Sequence, residues 1–153
     1  MSIFSNRGKA RHFFNTGEEE RIVEAIRQAE LRTSGEIRVF IESKCRFVDP
    51  VDRAAEVFFG LQMEKTEDRN GVLIYVAMKD HQLAIFGDEG IHRAVGTEYW
   101  NAEVRKILAA FRAENHVDGL ITIVTDIGEA LVAHFPYEEE DRNELPDNIV
   151  FGN

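Results

Sequence analysis

Residues 71–87 read GVLIYVAMKDHQLAIFG, and this stretch decides the fold. Residues 72–77 are apolar at every position, which is typical of a central strand that helices cover on both faces. Lys79 and Asp80 then provide a short polar connection, and residues 82–86 follow as a second strand. The stretch therefore predicts a β-hairpin whose first strand lies inside a sheet.

The segments before this hairpin predict a helix, a strand and a second helix. Thr16 followed by Glu19 fits a capping box, and apolar residues then recur at helical spacing until Gly35. Residues 36–43 alternate apolar and charged positions, which predicts a strand with one buried face. Asp49 and Pro50 are residue types typical of a helix N-cap and of the first helical position.

The segments after the hairpin predict a loop and two helices. Residues 87–90 read GDEG, which is typical of a loop, and Thr97 is the expected cap of the first helix. Residues 120–131 are rich in β-branched side chains but keep helical spacing, so we predict a helix with Asp118 as its cap. The order of elements predicts an α/β protein, a three-layer α/β/α sandwich with a mixed central sheet.

The length of 153 residues fits one folded domain with two charged ends. We expect a basic N-terminal arm at residues 1–15, an α/β domain at 16–135 and an acidic tail at 136–153. Acidic side chains outnumber basic ones in this tail, so we expect it to be mobile. Whether Ile149, Val150 and Phe151 dock onto the domain is left open by the sequence.

Composition excludes several classes of function. The net charge of −10 makes nucleic acid an unfavourable partner. No secretory signal and no apolar run of about 20 residues is found, so we expect a cytoplasmic protein without membrane contact. Cys45 is the single cysteine, which excludes an internal disulfide and a cysteine-based zinc site. Nucleotide-binding glycine motifs, HExxH and GxSxG are all missing.

Strand direction predicts one acidic site. If the first two strands are parallel and the third returns antiparallel, three distant chain segments meet at a single edge of the sheet. Oxygen ligands gathered in this way suit a divalent cation, Ca²⁺ or Mg²⁺. The expected metal ligands are Glu36, Asp68, Asn70, Asp88 and Glu89.

Two other interpretations of these residues stay open. Capping and turn formation explain the same residue types without any ligand. Ligands of open α/β sheets also usually bind at the opposite edge, where the parallel strands end and where Asp49, Asp52 and Asp80 are expected.

Four motifs resemble the TPM domain family. They are SGEIRV at residues 34–39, DRNGVLIYV at 68–76, IFGDEGI at 85–91 and DGL at 118–120. The resemblance implies an α/β/α sandwich with an acidic cleft, divalent cation binding and a proposed acid phosphatase activity. The resemblance assigns these properties to the matched motif positions, which are Glu36, Asp68, Asn70, Gly71, Asp88, Glu89 and Gly90. Without a leader, a membrane helix or a glycine-rich tail, the chain is most similar to the short soluble bacterial form.

Three functions follow from these observations. The first is a module that binds a divalent cation at the acidic loops and serves as a maintenance or interaction factor. The second is a metal-assisted acid phosphatase, a phosphomonoester hydrolase in which Arg69 contacts the phosphate through its forked guanidinium. The third is a metal-free protein-interaction domain that uses the acidic tail to bind a protein partner.

Overall fold

A four-stranded mixed sheet forms the middle layer of the protein. The computed structural model describes residues 13–137 and 149–152. The strands are β1 (Glu36–Glu42), β2 (Gly71–Ala77), β3 (Gln82–Gly87) and β4 (Ile149–Phe151). They lie in the order β3-β2-β1-β4, with β1 parallel to both β2 and β4 and with β2 antiparallel to β3. The predicted mixed sheet and the predicted strand directions are thus confirmed.

In the part of the chain that the structure describes, five helices cover the two faces of this sheet. They are α1 (Thr16–Glu30), α2 (Pro50–Gly60), α3 (Glu89–Val95), α4 (Thr97–Arg112) and α5 (His116–His134). Helix α2 packs Ala54, Val57 and Phe58 against one face of the sheet. The larger apolar core on the other face joins α1, α4 and α5 to the strands. The predicted three-layer α/β/α sandwich is confirmed, and none of the helices in the described ranges is long and apolar enough to cross a membrane.

Strand β1 is buried along its whole length, so the prediction of a single buried face is wrong. The charged side chains of Arg38 and Glu42 are only 4% exposed. Glu42 accepts hydrogen bonds from Arg53 Nε at 2.9 Å and Nη2 at 3.0 Å, and a third from the hydroxyl of Tyr75. A buried carboxylate with these donors is compatible with the core, so charge alternation here does not indicate exposure.

Three of the four predicted helix caps differ from the observed ones by one to three positions. Asn15, rather than Thr16, caps α1: its Oδ1 accepts a hydrogen bond from Glu18 N at 2.8 Å, and Glu18 replaces Glu19 in the capping box. Asp49 caps α2 as predicted, with Oδ1 2.9 Å from Val51 N.

The predicted caps of the last two helices are also displaced. Gly96 and Asn115 occupy the N-cap positions of α4 and α5, so Thr97 is the first residue of α4 and Asp118 lies in the first turn of α5. Asp118 accepts a hydrogen bond from Arg21 of α1 at 2.6 Å instead. The helix predicted at residues 120–131 is confirmed as part of α5.

The predicted loop at residues 87–90 contains the start of a helix. Asp88 is the N-cap of α3, and its Oδ1 accepts a hydrogen bond from Glu89 N at 2.8 Å. Helix α3 has seven residues and includes Gly90, so its sequence shows no helical periodicity that would distinguish it from a loop.

The end of the chain supplies the fourth strand. Ile149, Val150 and Phe151 pair with Val39, Phe40 and Ile41 of β1 and are fully buried. The sequence left this docking open, and the structure places these residues in the sheet. The acidic stretch 138–148, for which we expected mobility, and residues 1–12 of the predicted basic arm lie outside the described residues.

Candidate functional site

Three chain segments meet at one edge of the sheet, as strand direction predicted. In the strand register, Glu36 of β1 lies opposite Gly71 of β2, and Val72 lies opposite Gly87 of β3. Backbone hydrogen bonds join the segments, since Asp88 N donates to Gly71 O at 2.9 Å. The starts of β1 and β2 and the end of β3 therefore share an edge, and the predicted site residues follow or precede these strand ends.

Arg69 and Asp88 form the closest ion pair at this edge. Arg69 Nε donates to Asp88 Oδ2 at 2.7 Å, and Arg69 Nη2 donates to Asp88 Oδ1 at 2.9 Å. The Asp88 side chain is 3% exposed and that of Arg69 37% exposed. The hydrogen bonds to Asp88 raise the pKa of Arg69, so its guanidinium stays charged. Asp88 thus holds two roles, as helix cap and as the partner of a guanidinium.

Gly90 brings the loop before β2 against the start of α3. A β-carbon on residue 90 would lie 2.7 Å from the carbonyl oxygen of Arg69 and closer still to that of Asp68. Gly90 N also donates to Arg69 O at 2.9 Å. The absence of a side chain permits this close backbone approach. It places Asp68 and Glu89, both exposed, near the same ion pair.

Glu89 extends the negative charge around the guanidinium. Its Oε1 lies 3.5 Å from Arg69 Nη1, and the Glu89 side chain is 53% exposed. Asp68, Asp88 and Glu89 together carry more negative charge than Arg69 neutralises. This edge of the molecule therefore attracts cations.

Asn70 lies between the ion pair and β2 and is almost fully buried. Its Nδ2 donates to Ser34 Oγ at 3.1 Å, which ties the loop to the residues before β1. Its Oδ1 has no hydrogen-bond donor within the ranges that the structure describes. A buried amide oxygen without a donor is costly in an apolar surrounding, and it is a ligand type that Ca²⁺ accepts.

Glu36 is buried in a charged group of its own at the start of β1. Its carboxylate and that of Glu30 favour the charged form of Arg38, whereas burial, the larger effect, lowers the pKa of Arg38. Glu30 Oε2 also accepts a hydrogen bond from Ile37 N at 2.8 Å. Glu36 thus lies beside the loop residues in the sheet register but interacts with the charges of α1 and β1.

The loop residues do not form a ready-made metal centre. Across residues 13–137 and 149–152, no three histidine, cysteine, aspartate or glutamate side chains lie close enough together to hold a metal. A cation bound at Asp88 or Glu89 would need amide, main-chain or water oxygens to complete its ligands, all of which Ca²⁺ and Mg²⁺ accept. The oxygen types fit such ions, and the guanidinium of Arg69 is the cation that the carboxylates of Asp88 and Glu89 now bind.

An open cavity of about 480 Å³ lies beside the ion pair. Arg69, Asp88 and Glu89 line one part of it, and apolar side chains line most of the rest, among them Phe59, Phe86 and Trp100. Trp100 Nε1 donates to His92 Nδ1 at 3.0 Å on the same wall. Neither His92 nor Trp100 was predicted to have a functional role, because neither residue belongs to a motif and both come from elements beyond the predicted loops.

At the opposite edge of the sheet, Asp49 and Asp80 accept hydrogen bonds from the main chain. Asp49 caps α2, and Asp80 Oδ2 accepts a hydrogen bond from Cys45 N at 2.8 Å. The buried group of Glu42, Arg53 and Tyr75 also lies at this edge, and sequence analysis missed it because its members are far apart in the chain. Burial is the main cause that raises the pKa of Tyr75, and the hydrogen bond to Glu42 adds to it.

Comparisons with known proteins agree with this architecture. The solved structure of BA42 from the psychrophilic bacterium Bizionia argentinensis is 41% identical, with a TM-score of 0.85 over 95% of this chain and 99% of that one. The N-terminal domain of cg2496 from Corynebacterium glutamicum is 12% identical, with a TM-score of 0.64 over 95% of this chain and 88% of that one. An N-terminal domain from P. gingivalis is 14% identical, with a TM-score of 0.61 over 83% of each chain.

The similarity to cg2496 and to the P. gingivalis domain shows a shared fold alone. No curated protein matches the chain. A family model, the TPM domain, matches residues 9–130, which cover most of the chain and all four motifs from which the resemblance was drawn. The chain belongs to the TPM domain family.

Proposed function

We propose that the protein is a binding module that takes up a divalent cation, Ca²⁺ or Mg²⁺, at a loop cluster formed by Asp68, Asn70, Asp88 and Glu89. Glu36 lies beside this cluster in the sheet register and adds negative charge to the same edge. Strand direction and the close backbone approach at Gly90 support this choice of residues.

One observation carries this proposal. The carboxylates of Asp88 and Glu89 already surround a positive charge, the Arg69 guanidinium, at distances of 2.7–3.5 Å. A position that stabilises a guanidinium also attracts a metal cation, because both respond to the same concentration of negative oxygen. The donor-less Oδ1 of Asn70 supplies a neutral oxygen of the kind found in calcium sites.

Calorimetric and thermal-shift titrations with CaCl₂ and MgCl₂ at constant ionic strength test the proposal. We expect a dissociation constant of about 10⁻⁴ to 10⁻³ M, since few carboxylates are available and one is already neutralised. Ligand at about 100 times this constant should add roughly 2.7 kcal/mol to the free energy of unfolding. No heat and no shift in melting temperature at about 100 times this constant would overturn the proposal.

Matched variants locate the binding. Asp88→Asn keeps a cap for α3 but removes the central charge, and we expect it to abolish the calcium response. Asp118→Asn removes the same charge from an exposed side chain in α5 and should retain that response. Amide chemical shifts of residues 68–70 and 88–90 should move on titration, and a response confined to the opposite sheet edge would contradict the assignment.

Hydrolysis of phosphomonoesters is not part of this proposal. Arg69, which the phosphatase interpretation assigns to the phosphate, uses Nε, Nη1 and Nη2 on the carboxylates of Asp88 and Glu89. A generic aryl phosphate, incubated with the same calcium- and magnesium-loaded samples, tests this directly. Turnover that Asp68→Asn or Asp88→Asn abolishes would make the protein an enzyme instead.

A further inference from the structure

We propose that Arg69 is a built-in competitor of the metal ion. Its guanidinium occupies the carboxylate that a bound cation requires, so uptake of the ion displaces the Arg69 side chain from Asp88. This inference rests on the proposed cation binding and adds the regulation of that same site.

The bonding of Asp88 makes the competition direct. Both oxygens accept from the guanidinium, at 2.7 and 2.9 Å, and Oδ1 also accepts from Glu89 N at 2.8 Å. A carboxylate has about four lone-pair sites, and three of them are therefore in use. A dication on Asp88 would also lie within a few ångströms of a guanidinium, where like charges repel. The ion and the guanidinium therefore compete for the same carboxylate.

The surroundings of Arg69 allow its side chain to leave without a change in the loop. The side chain is 37% exposed and borders the open cavity of about 480 Å³. Its main chain is held separately, because Gly90 N donates to Arg69 O at 2.9 Å. Displacement therefore requires only rotation about side-chain bonds, and the ligand-bearing residues keep their positions.

Removal of the competitor is the first test. Arg69→Gln should lower the dissociation constant for Ca²⁺ about ten-fold in calorimetry at constant ionic strength, because charge-assisted hydrogen bonds no longer have to be broken. Arg21→Gln is the matched control, since it removes the same charge from an exposed arginine that is paired with Asp118 at 2.6 Å. We expect the control to keep the wild-type affinity.

The outcomes separate this inference from the proposed function. If neither wild type nor Arg69→Gln binds Ca²⁺, the proposed cation site is wrong and the inference falls with it. If both bind equally well, the cation site stands and the competition is overturned. An equal gain in Arg21→Gln also overturns it, because the effect would then be one of net charge.

A second measurement needs no variant. The Nε–H signal of Arg69 in the wild-type protein should shift and exchange faster with water as Ca²⁺ saturates the site, because its bond to Asp88 is broken. The Nε–H signal of Arg53, which donates to Glu42 at 2.9 Å in the opposite edge, should not change. A protected Arg69 signal in the calcium-saturated protein would contradict displacement even if Arg69→Gln fails to fold.

Discussion

The indole ring of Trp100 packs directly on Gly87, the last residue of β3. A β-carbon on residue 87 would lie 2.9 Å from Cη2 of Trp100 and closer still to Cζ2. This contact packs helix α4 against the end of β3, directly before Asp88. The contact couples the packing of the core to the position of the loop cluster.

Gly87→Ala should therefore destabilise the protein by about 1–3 kcal/mol, because the added methyl group overpacks a well-filled contact. The midpoint and slope of urea denaturation measure the change. Gly60→Ala is the control: a β-carbon there would meet no atom within 4 Å, and alanine suits a helix better by about 0.5–1 kcal/mol. An unchanged midpoint for Gly87→Ala would contradict the tight contact.

Alkaline pH should weaken the fold through its buried tyrosines. Burial raises the pKa of Tyr75 and of Tyr99. Unfolded tyrosines lose their protons near pH 10, whereas these two keep theirs in the native state. The unfolded state then binds fewer protons, so the free energy of unfolding falls as pH rises above about 10.

Tyr75→Phe should make this decline shallower while lowering stability at neutral pH by about 1 kcal/mol, since the hydrogen bond to Glu42 is lost. Phenolate absorbance and denaturation at several alkaline pH values measure both effects. Tyr137→Phe, at a half-exposed position, controls for the loss of a hydroxyl. Identical alkaline curves for Tyr75→Phe and the wild type would show that the burial of Tyr75 has no energetic effect.

Glu103 should make stability depend on pH on the acidic side. It is 3% exposed, and burial raises its pKa, with a further contribution from Asp126 and an opposing one from Lys106. The folded state then holds a proton that the unfolded state releases near pH 4.3, so stability is lost as pH rises through the folded pKa.

Glu103→Gln removes this titration, so its stability relative to the wild type should improve as pH rises above about 4.3, where the carboxyl titrates in the unfolded state. Urea denaturation at a series of pH values measures the difference. Lys106 also contacts Asp126 at 2.8 Å, and the substitution does not remove this partner. Glu98→Gln, at an exposed position of α4, is the control for removing one charge from the helix surface. A difference in the free energy of unfolding between Glu103→Gln and the wild type that does not change with pH would refute the prediction.

The last strand should contribute strongly to stability despite its length of three residues. Phe151 is fully buried, and Phe151→Ala should cost about 3–5 kcal/mol because it leaves a cavity beside β1. Val48→Ala, at a fully exposed position, should change stability by less than about 0.5 kcal/mol. Equal denaturation midpoints for the two variants would mean that β4 does not stabilise the sheet.

Local patterns predicted most of the architecture because they report burial directly. The apolar run of β2, the short hairpin connection and the helical spacing of α5 were all interpreted correctly. Helix α3 was missed and the docking of strand β4 was left open, because seven and three residues are too short for a periodic signal. The burial of the second face of β1 was missed because Glu42 is paired with Arg53 and Tyr75, which lie 11 and 33 positions away.

The location of the candidate site could be predicted from the sequence, but the ion pair within it could not. Strand directions were enough to bring residues 68–70 and 88–89 to one edge. The pairing of Arg69 with Asp88, 19 positions apart, was not foreseen. It depends on the close approach at Gly90, a packing contact that no local pattern records.

The backbone of Arg69 has a φ of 51°, in the left-handed region that glycine and asparagine adopt more readily. Exchange of this arginine for either residue would relax the chain where most other substitutions strain it. A glycine or an asparagine at this position would therefore remove the positive charge beside Asp88 and relieve the backbone in the same substitution.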